Sequence, residues 1–292
     1  MTDLTEPVRR FNRTVTERIG VLSDDYLARS RPLGASRVLW EIGDGGSDVR
    51  SLRSRLALDS GYLSRLLRGL EAEGLVEVQA GAGDRRVRAV TLTAAGRAER
   101  AELDRLSDAL AQSLLAPLTG RQRDRLVEAM GTVERLLTAS LVEIGVSEPF
   151  GEAAQFCLTS YFSELETRFD GGFDTAGGLA GASAYAAPGG LLLVARLRDE
   201  PVGCGALCFM DGEPDQVKRM WVARSARGLG LGRRLLAELE QRVRERGGRA
   251  IRLETNRRLA EAISLYRSAG YVEVPPFNDE PYAHHWFEKQ LP

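Results

Sequence analysis

The chain of 292 residues is poor in the groups that build disulfide scaffolds and metal centres: it holds three cysteines and two histidines. Cys157, Cys204 and Cys208 form no CxxC pair and no Cys/His cluster. That spacing speaks against a structural zinc and against a disulfide framework, and favours a reducing compartment. The histidines are adjacent, His284-His285, and no carboxylate or thiol arrangement completes a ligand set around them, so no metal is expected. No apolar run reaches the roughly 18 residues that a membrane helix needs. The least polar stretch, Gly177 to Ala195, is broken by Pro188 and five glycines. Met1-Thr2-Asp3-Leu4-Thr5-Glu6 lacks the apolar region of a secretion signal, so a cytoplasmic protein without a membrane partner is expected.

Hydrophobic residues make up 43% and charged residues 28% of the chain, which suits folded domains and argues against wholesale disorder. The length suits two domains. Net charge is −1, yet between Arg50 and Arg88 eight arginines face five acids. A local basic patch on a neutral domain is the footprint of backbone-phosphate contact.

The first part of the chain reads as helices around one hairpin. Apolar periodicity predicts helices over Arg9–Arg29, Gly34–Ile42, Ser51–Leu56 and Ser60–Glu73. Strands at Leu75–Gln79 and Val87–Leu92 follow, joined by Gly81-Ala82-Gly83-Asp84, then long helices over Thr93–Leu115 and Thr119–Leu137. The Ser60–Glu73 helix sets Leu63, Leu66, Leu67 and Leu70 on one face, and Ser60, Ser64 and Arg68 on another, with Tyr62 and Arg65 beside them. A short helix, a turn and such a polar-faced helix make a helix-turn-helix, whose second helix enters the major groove. Ser60, Tyr62, Ser64, Arg65 and Arg68 are the DNA-contact candidates, joined by Arg85 and Arg86 at the hairpin, which suit a narrow minor groove or flanking phosphates. As a bare alternative, each arginine belongs to a solvated face.

The run Gly61-Tyr62-Leu63-Ser64-Arg65-Leu66-Leu67-Arg68-Gly69-Leu70-Glu71, with Gly83-Asp84-Arg85-Arg86 and Leu92-Thr93-Ala94-Ala95-Gly96, resembles the MarR family of winged-helix regulators over about residues 5–137. The resemblance implies a homodimer, held by the first helix and the last two, on double-stranded DNA with a pseudo-palindromic site. Two linked half-sites also multiply affinity.

Beyond Thr138–Ala139 the pattern turns to strands mixed with helices, and we set the boundary there: a mostly helical domain over 1–138 and an α/β domain with a central mixed sheet over 139–292. Its main signal is Lys218-Arg219-Met220-Trp221-Val222-Ala223-Arg224-Ser225-Ala226-Arg227-Gly228-Leu229-Gly230-Leu231-Gly232-Arg233-Arg234, a strand entering a glycine bend that opens a helix. Glycines let backbone N–H groups approach a phosphate, and the helix N-terminus adds partial positive charge. A Walker loop is excluded because no Lys-Ser/Thr follows, and a dinucleotide fingerprint because the last glycine gap is wrong.

With Leu253-Glu254-Thr255-Asn256 and Ala262-Ile263-Ser264-Leu265-Tyr266-Arg267-Ser268-Ala269-Gly270-Tyr271, this bend resembles the GNAT superfamily of acetyl-CoA-dependent N-acetyltransferases over about residues 139–292. The resemblance implies acetyl-CoA as cosubstrate. Met220, Trp221 and Val222 would meet the pantetheine arm. Arg227, Gly228, Leu229, Gly230, Leu231, Gly232 and Arg233 would hold the pyrophosphate, and Tyr266 would lie near the thioester sulfur. Seven residues before Tyr266, where many relatives carry Asn, stands Leu259; Asn256 is the substitute considered.

A phenol of ordinary pKa ~10 can donate to a departing thiolate, so Tyr266 is the acid candidate, with core packing as its plain alternative. Glu254, His284 and His285 are base candidates, beside a water chain. Phe173, Arg219, His284 and His285 are candidates for contact with a small amine or amino-acid acceptor. The function expected is a bifunctional transcription regulator and N-acetyltransferase; the alternative is a regulator whose second domain senses acetyl-CoA or a metabolite without turnover.

Overall fold

Apolar residues recurring three and four apart fold the first 140 residues as helices around a small sheet. In the computed structural model, the structure describes residues 4–20, 26–29, 31–80, 88–169, 172–173 and 181–292. The chain divides into two compact units, Met1–Glu128 and Ala129–Pro292.

In the first unit, α1 spans Thr5–Arg18, α2 Leu33–Ile42, α3 Val49–Leu56, α4 Ser60–Ala72 and α5 Ala94–Leu115. Helix α6, Gly120–Ser140, begins in this unit and ends in the second. Short polar side chains start the helices by accepting orphan N–H groups. Asp48 accepts from Ser51 N at 2.9 Å, Asp59 from Tyr62 N at 2.8 Å and Thr93 Oγ1 from Gly96 N at 3.0 Å. Strand β1 (Ser47–Asp48) pairs with β3 (Arg88–Leu92), which pairs with β2 (Val76–Ala80), in the order β1-β3-β2. The core joins Val38, Leu39 and Ile42 of α2 to Leu52, to Leu63, Leu67 and Leu70 of α4, and to Val90 and Leu103. A side chain at Gly96 would meet Leu75 O at 1.9 Å, so glycine is what lets α5 close on the chain before β2.

Two differences from the sequence reading have physical causes, one local and one long-range. The first helix stops at Arg18, and Gly20 follows at φ +69°. Strand β1 was not foreseen because two residues carry no periodicity; its pairing of Ser47 with Val90 is a long-range event.

In the second unit, seven strands run in the order β4-β5-β6-β7-β8-β10-β9. They are β4 Val142–Val146, β5 Gly190–Leu197, β6 Glu200–Cys208, β7 Asp215–Val222, β8 Ala250–Thr255, β9 Val272–Val274 and β10 His285–Gln290. Helices α7 (Glu152–Arg168), α8 (Leu231–Glu245) and α9 (Ala260–Ser268) complete the unit. Alternation along β5 feeds two cores. Leu192 and Val194 join Cys157, Leu158 and Phe162 of α7, while Leu193 and Ala195 join Leu235, Leu236 and Leu239 of α8. The β5–β6 turn is Arg198-Asp199, both at positive φ (52° and 70°), with Leu197 opposite Glu200. Two central residues at positive φ make this a two-residue hairpin, whose twist matches that of the flanking strands.

All strand pairs are antiparallel except β7 with β8, which pair in parallel. That parallel pairing covers Asp215↔Ile251 and Gln216↔Arg252 and then stops. From Lys218 to Val222 the β8 side of β7 has no strand partner among the described residues.

Candidate functional site

Where β7 and β8 part, two hollows meet. The larger, about 580 Å³, is lined by Tyr161, Met220, Trp221, Val222, Arg227, Gly228, Gly230, Gly232, Arg233 and Tyr266 among others. The smaller, about 80 Å³, is lined by Phe169, Phe173, Lys218, Arg219, Glu254, Asn256, Tyr282 and Glu280 among others. Tyr161, Leu165, Met220, Leu259, Ala262 and Tyr266 line both.

The bend after β7 is set by Gly228 at φ +80° and Gly230 at φ +71°, conformations that L side chains rarely adopt. Gly230 is the N-cap of α8 and supplies no side-chain acceptor to the first N–H groups. A Cβ at Gly230 would stand in open space, whereas one at Gly232 would lie 3.2 Å from Leu265 Cδ2. The start of α8 therefore presents uncapped donors to the larger hollow, the arrangement an anion favours. Leu231 is buried against α8's own core, and Leu229 packs at its edge.

The two arginines of the bend are already held. Arg227 donates to Val222 O at 3.1 Å and, through Nη2, to both oxygens of Glu164 at 2.8 and 2.6 Å. Arg233 Nη2 donates to Ser268 Oγ at 2.7 Å. Glu164 of α7 also accepts from Arg168 Nη1 at 3.1 Å and Trp221 Nε1 at 3.1 Å. Desolvation pushes the Glu164 carboxyl upward, but the guanidinium groups of Arg227 and Arg168 outweigh it and hold it below the usual carboxylate range. Glu164 was invisible to the sequence reading because its partner Arg227 lies 63 residues away.

Tyr266 is 5% exposed and sits between Tyr271 and Phe287, ring centroids 6.0 Å from each. Burial, then the neighbouring Tyr161 and Glu254, push its phenol above its ordinary value. Burial likewise pushes Tyr161 up to about 12, against the pull of Arg219.

In the smaller hollow, the Glu254 carboxylate is ion-paired to Lys218 and takes a long 3.4 Å hydrogen bond from Asn278 Nδ2. Trp286 Nε1 orients that amide through Asn278 Oδ1 at 2.8 Å. Phe173 stacks on Phe162 at 5.6 Å and meets Tyr282 at 4.6 Å. Asn256 lines this hollow rather than the larger one. Its amide donates to Tyr282 O at 2.7 Å and accepts from Arg258 N at 2.9 Å. Leu259 lies at the border of both hollows.

The histidines are not brought to either hollow. His284 N donates to Thr255 O at 2.9 Å, as an extension of the β8–β10 pairing. His285 Nδ1 lies 2.6 Å from Glu273 Oε1, and the residue borders a separate surface depression with Ser264 and Arg267. His285 opens β10 and His284 precedes it, and neither side chain lines either hollow. Among the described residues, no group of three His, Cys, Asp or Glu side chains could hold a metal ion.

In the first unit, α4 exposes Ser60, Arg65 and Arg68, while Tyr62 and Ser64 are half-buried. Arg65 lies over the Tyr62 ring at 5.7 Å, and Arg68 Nε donates to Ser64 O at 3.3 Å. Neither guanidinium has a carboxylate partner among the described residues. Arg85 and Arg86 lie outside the described residues.

Comparisons with known proteins fall on these two regions. A GNAT acetyltransferase domain model matches residues 188–273, and a MarR family model matches residues 30–87. An IAA acetyltransferase of Azospirillum brasilense is 44% identical over 86 residues, covering 29% of this chain and 56% of that protein. An uncharacterized N-acetyltransferase of Schizosaccharomyces pombe is 35% identical over 101 residues, 33% of this chain and 61% of that one. The chain thus spans less than two thirds of the length of either curated relative. Among solved structures, a putative acyl-CoA N-acyltransferase of Klebsiella pneumoniae aligns with 26% identity and a TM-score of 0.42, over 52% of this chain and 98% of that one. The glycine bend thus lies in the segment that the GNAT acetyltransferase domain model matches, and the polar-faced helix lies in the segment that the MarR family model matches.

Proposed function

We propose that this chain is an acetyl-CoA-dependent N-acetyltransferase for a small amine, fused to a module that binds double-stranded DNA as a homodimer, with the functional boundary at Thr138–Ala139. The observation that carries the enzymatic reading is the parting of β7 from β8 after Gln216 beside the uncapped start of α8. That opening leaves the backbone of Met220–Val222 free on one side and lines a hollow of about 580 Å³ with it. Backbone donors at Gly228–Gly232, with Arg227 and Arg233 beside them, suit a pyrophosphate. Bound there, acetyl-CoA supplies an activated thioester.

The chain's own part is orientation and the handling of two protons, one given to sulfur and one taken from the amine. The acceptor enters through the smaller hollow and presents a neutral amine beside Tyr266. Tyr266, kept protonated by burial, donates its hydroxyl hydrogen to the departing sulfur. Because its phenol is shifted upward, the donation acts as a hydrogen bond that strengthens as negative charge develops. Glu254 is braced by Lys218 and Asn278 and can accept a proton from the amine directly or through water. Phe173 and Arg219 shape the acceptor side; His284 and His285 have no part in it.

For the first unit, the reading rests on the two unpaired arginines of α4. Val8 and Phe11 on α1 are 57% and 47% exposed, and Val127 on α6 is 56% exposed, apolar side chains that a second copy would cover. Release of thiol from acetyl-CoA over a panel of amines tests the enzyme, and binding without any release would make the second unit a sensor. Binding to DNA upstream of the gene, titrated with salt and against unrelated DNA, tests the regulator.

A further inference from the structure

We infer that the acceptor carries a carboxylate as well as its amine, an amino-acid-like compound whose acid group Arg219 holds in the smaller hollow. This rests on the transferase reading above and names its substrate class. The inference starts from a register break. Val217 and Met220 both pack with the α8 core although they are three residues apart, and the β6–β7 register shifts opposite them, between Cys204 and Ala206. An odd spacing on one face requires an extra residue in the strand, a bulge, and Arg219 adopts φ +56° there. The consequence is that two consecutive cations, Lys218 and Arg219, line the same small cavity.

Their charges are treated differently. Lys218 is neutralised by Glu254. Arg219 has no carboxylate partner among the described residues. Its guanidinium lies over the rings of Phe162 at 4.9 Å and Tyr185 at 5.6 Å and meets the Tyr161 hydroxyl. Its Nε is buried with no hydrogen-bond partner. A buried donor on an unpaired cation is destabilising unless an anion completes it. The guanidinium fork matches a carboxylate in two parallel hydrogen bonds. The bulge itself strains a non-glycine residue, so the fold spends stability to hold this cation in place. Glu280 supplies the opposite sign in the same hollow, where Glu254 is already paired with Lys218, so the cavity offers both charges that a zwitterion needs. A volume of about 80 Å³ with Phe169, Phe173 and Tyr282 as walls suits a small acceptor.

The test uses the full chain with acetyl-CoA and a panel of free L-amino acids, aliphatic and aromatic, each beside its carboxamide. The acids are expected to exceed their amides by roughly 10- to 100-fold in kcat/KM, the scale of a charged hydrogen bond. Arg219→Gln should erase that gap through KM while acetyl-CoA binding by calorimetry stays intact, and Arg219→Lys should restore part of it. Amides that serve as well as acids, or a gap that survives Arg219→Gln, would overturn the inference. Acetyl-CoA binding with turnover of amines lacking a carboxylate alone would overturn it too and leave the transferase reading standing. Absence of acetyl-CoA binding would remove both.

Discussion

The arginines of the two units look alike in sequence and differ in the folded chain. On α4, Arg65 and Arg68 are exposed and have no carboxylate partner among the described residues. At the glycine bend, Arg227 is held by Glu164 and Val222 O, and Arg233 by Ser268. An exposed, unpaired guanidinium keeps its rotamer freedom and acts through a screened field, so its contribution depends on salt. A guanidinium already fixed by a carboxylate has lost that freedom before any ligand arrives, which reduces what binding must order. The same residue type thus serves adaptable contact in one unit and prepared geometry in the other.

The comparison breaks first at Tyr266, which has no counterpart on the DNA side. Tyr266→Phe is expected to lower kcat by about 100-fold with little change in acetyl-CoA affinity. An unchanged kcat in stopped-flow or steady-state assays would remove the hydroxyl from the chemistry. The pH profile sharpens the same point. A phenol shifted upward remains a donor past its ordinary ~10, so kcat should rise as the amine loses its proton and show no fall from Tyr266 below about pH 10.

Arg65→Ala should weaken DNA binding by about 10- to 100-fold, lower the salt slope if the contact is to phosphate, and leave acetyl transfer unchanged. A joint loss of both activities would mean a defect of folding rather than of readout. Glu164→Gln should act on the other side alone. Releasing Arg227 and Arg168 from a shared carboxylate is expected to weaken acetyl-CoA binding by roughly three- to tenfold. DNA affinity measured on the same sample should not move.

The smallest effect expected is on stability. In the first unit, Glu99 accepts from Arg29 at 2.9 and 2.5 Å and is also paired to Arg31. Desolvation raises its carboxyl, but the two arginines more than offset that and hold it below the usual range. A carboxyl lowered by folding stabilises above its unfolded value, near 4.3, and loses that contribution as pH falls through the folded value. Glu99→Gln should therefore melt lower than wild type at neutral pH, by about 1–2 kcal/mol, with the difference closing below about pH 4. A difference independent of pH would assign the effect to packing.

Contiguity decided how much the sequence disclosed. The glycine bend and the polar face of α4 each lie within one short segment, so their spacing was legible, whereas Tyr266 was singled out through the resemblance of Ala262–Tyr271 to a known family. Helix α4, expected over Ser60–Glu73 and found over Ser60–Ala72, was legible because its apolar face is continuous. What spacing could not reach was pairing over distance: Glu164 with Arg227, Lys218 with Glu254 across 36 residues, and Asn256 committed to Tyr282 O across 26. The parting of β7 from β8 was equally hidden, since nothing local in Lys218–Val222 says where a parallel neighbour stops. His284-His285, adjacent in sequence, line neither hollow; His285 is instead held by Glu273.

The central claim is that uncapped amides at the start of α8 grip the diphosphate of a coenzyme A thioester. Calorimetric titration of the full chain with acetyl-CoA tests it most directly, repeated with Gly230→Val, which opposes φ +71° with a branched side chain. The account predicts one saturable site per chain, weakened at least about tenfold by the substitution. No heat on titration, or an affinity indifferent to Gly230→Val in a variant that remains folded, would contradict it.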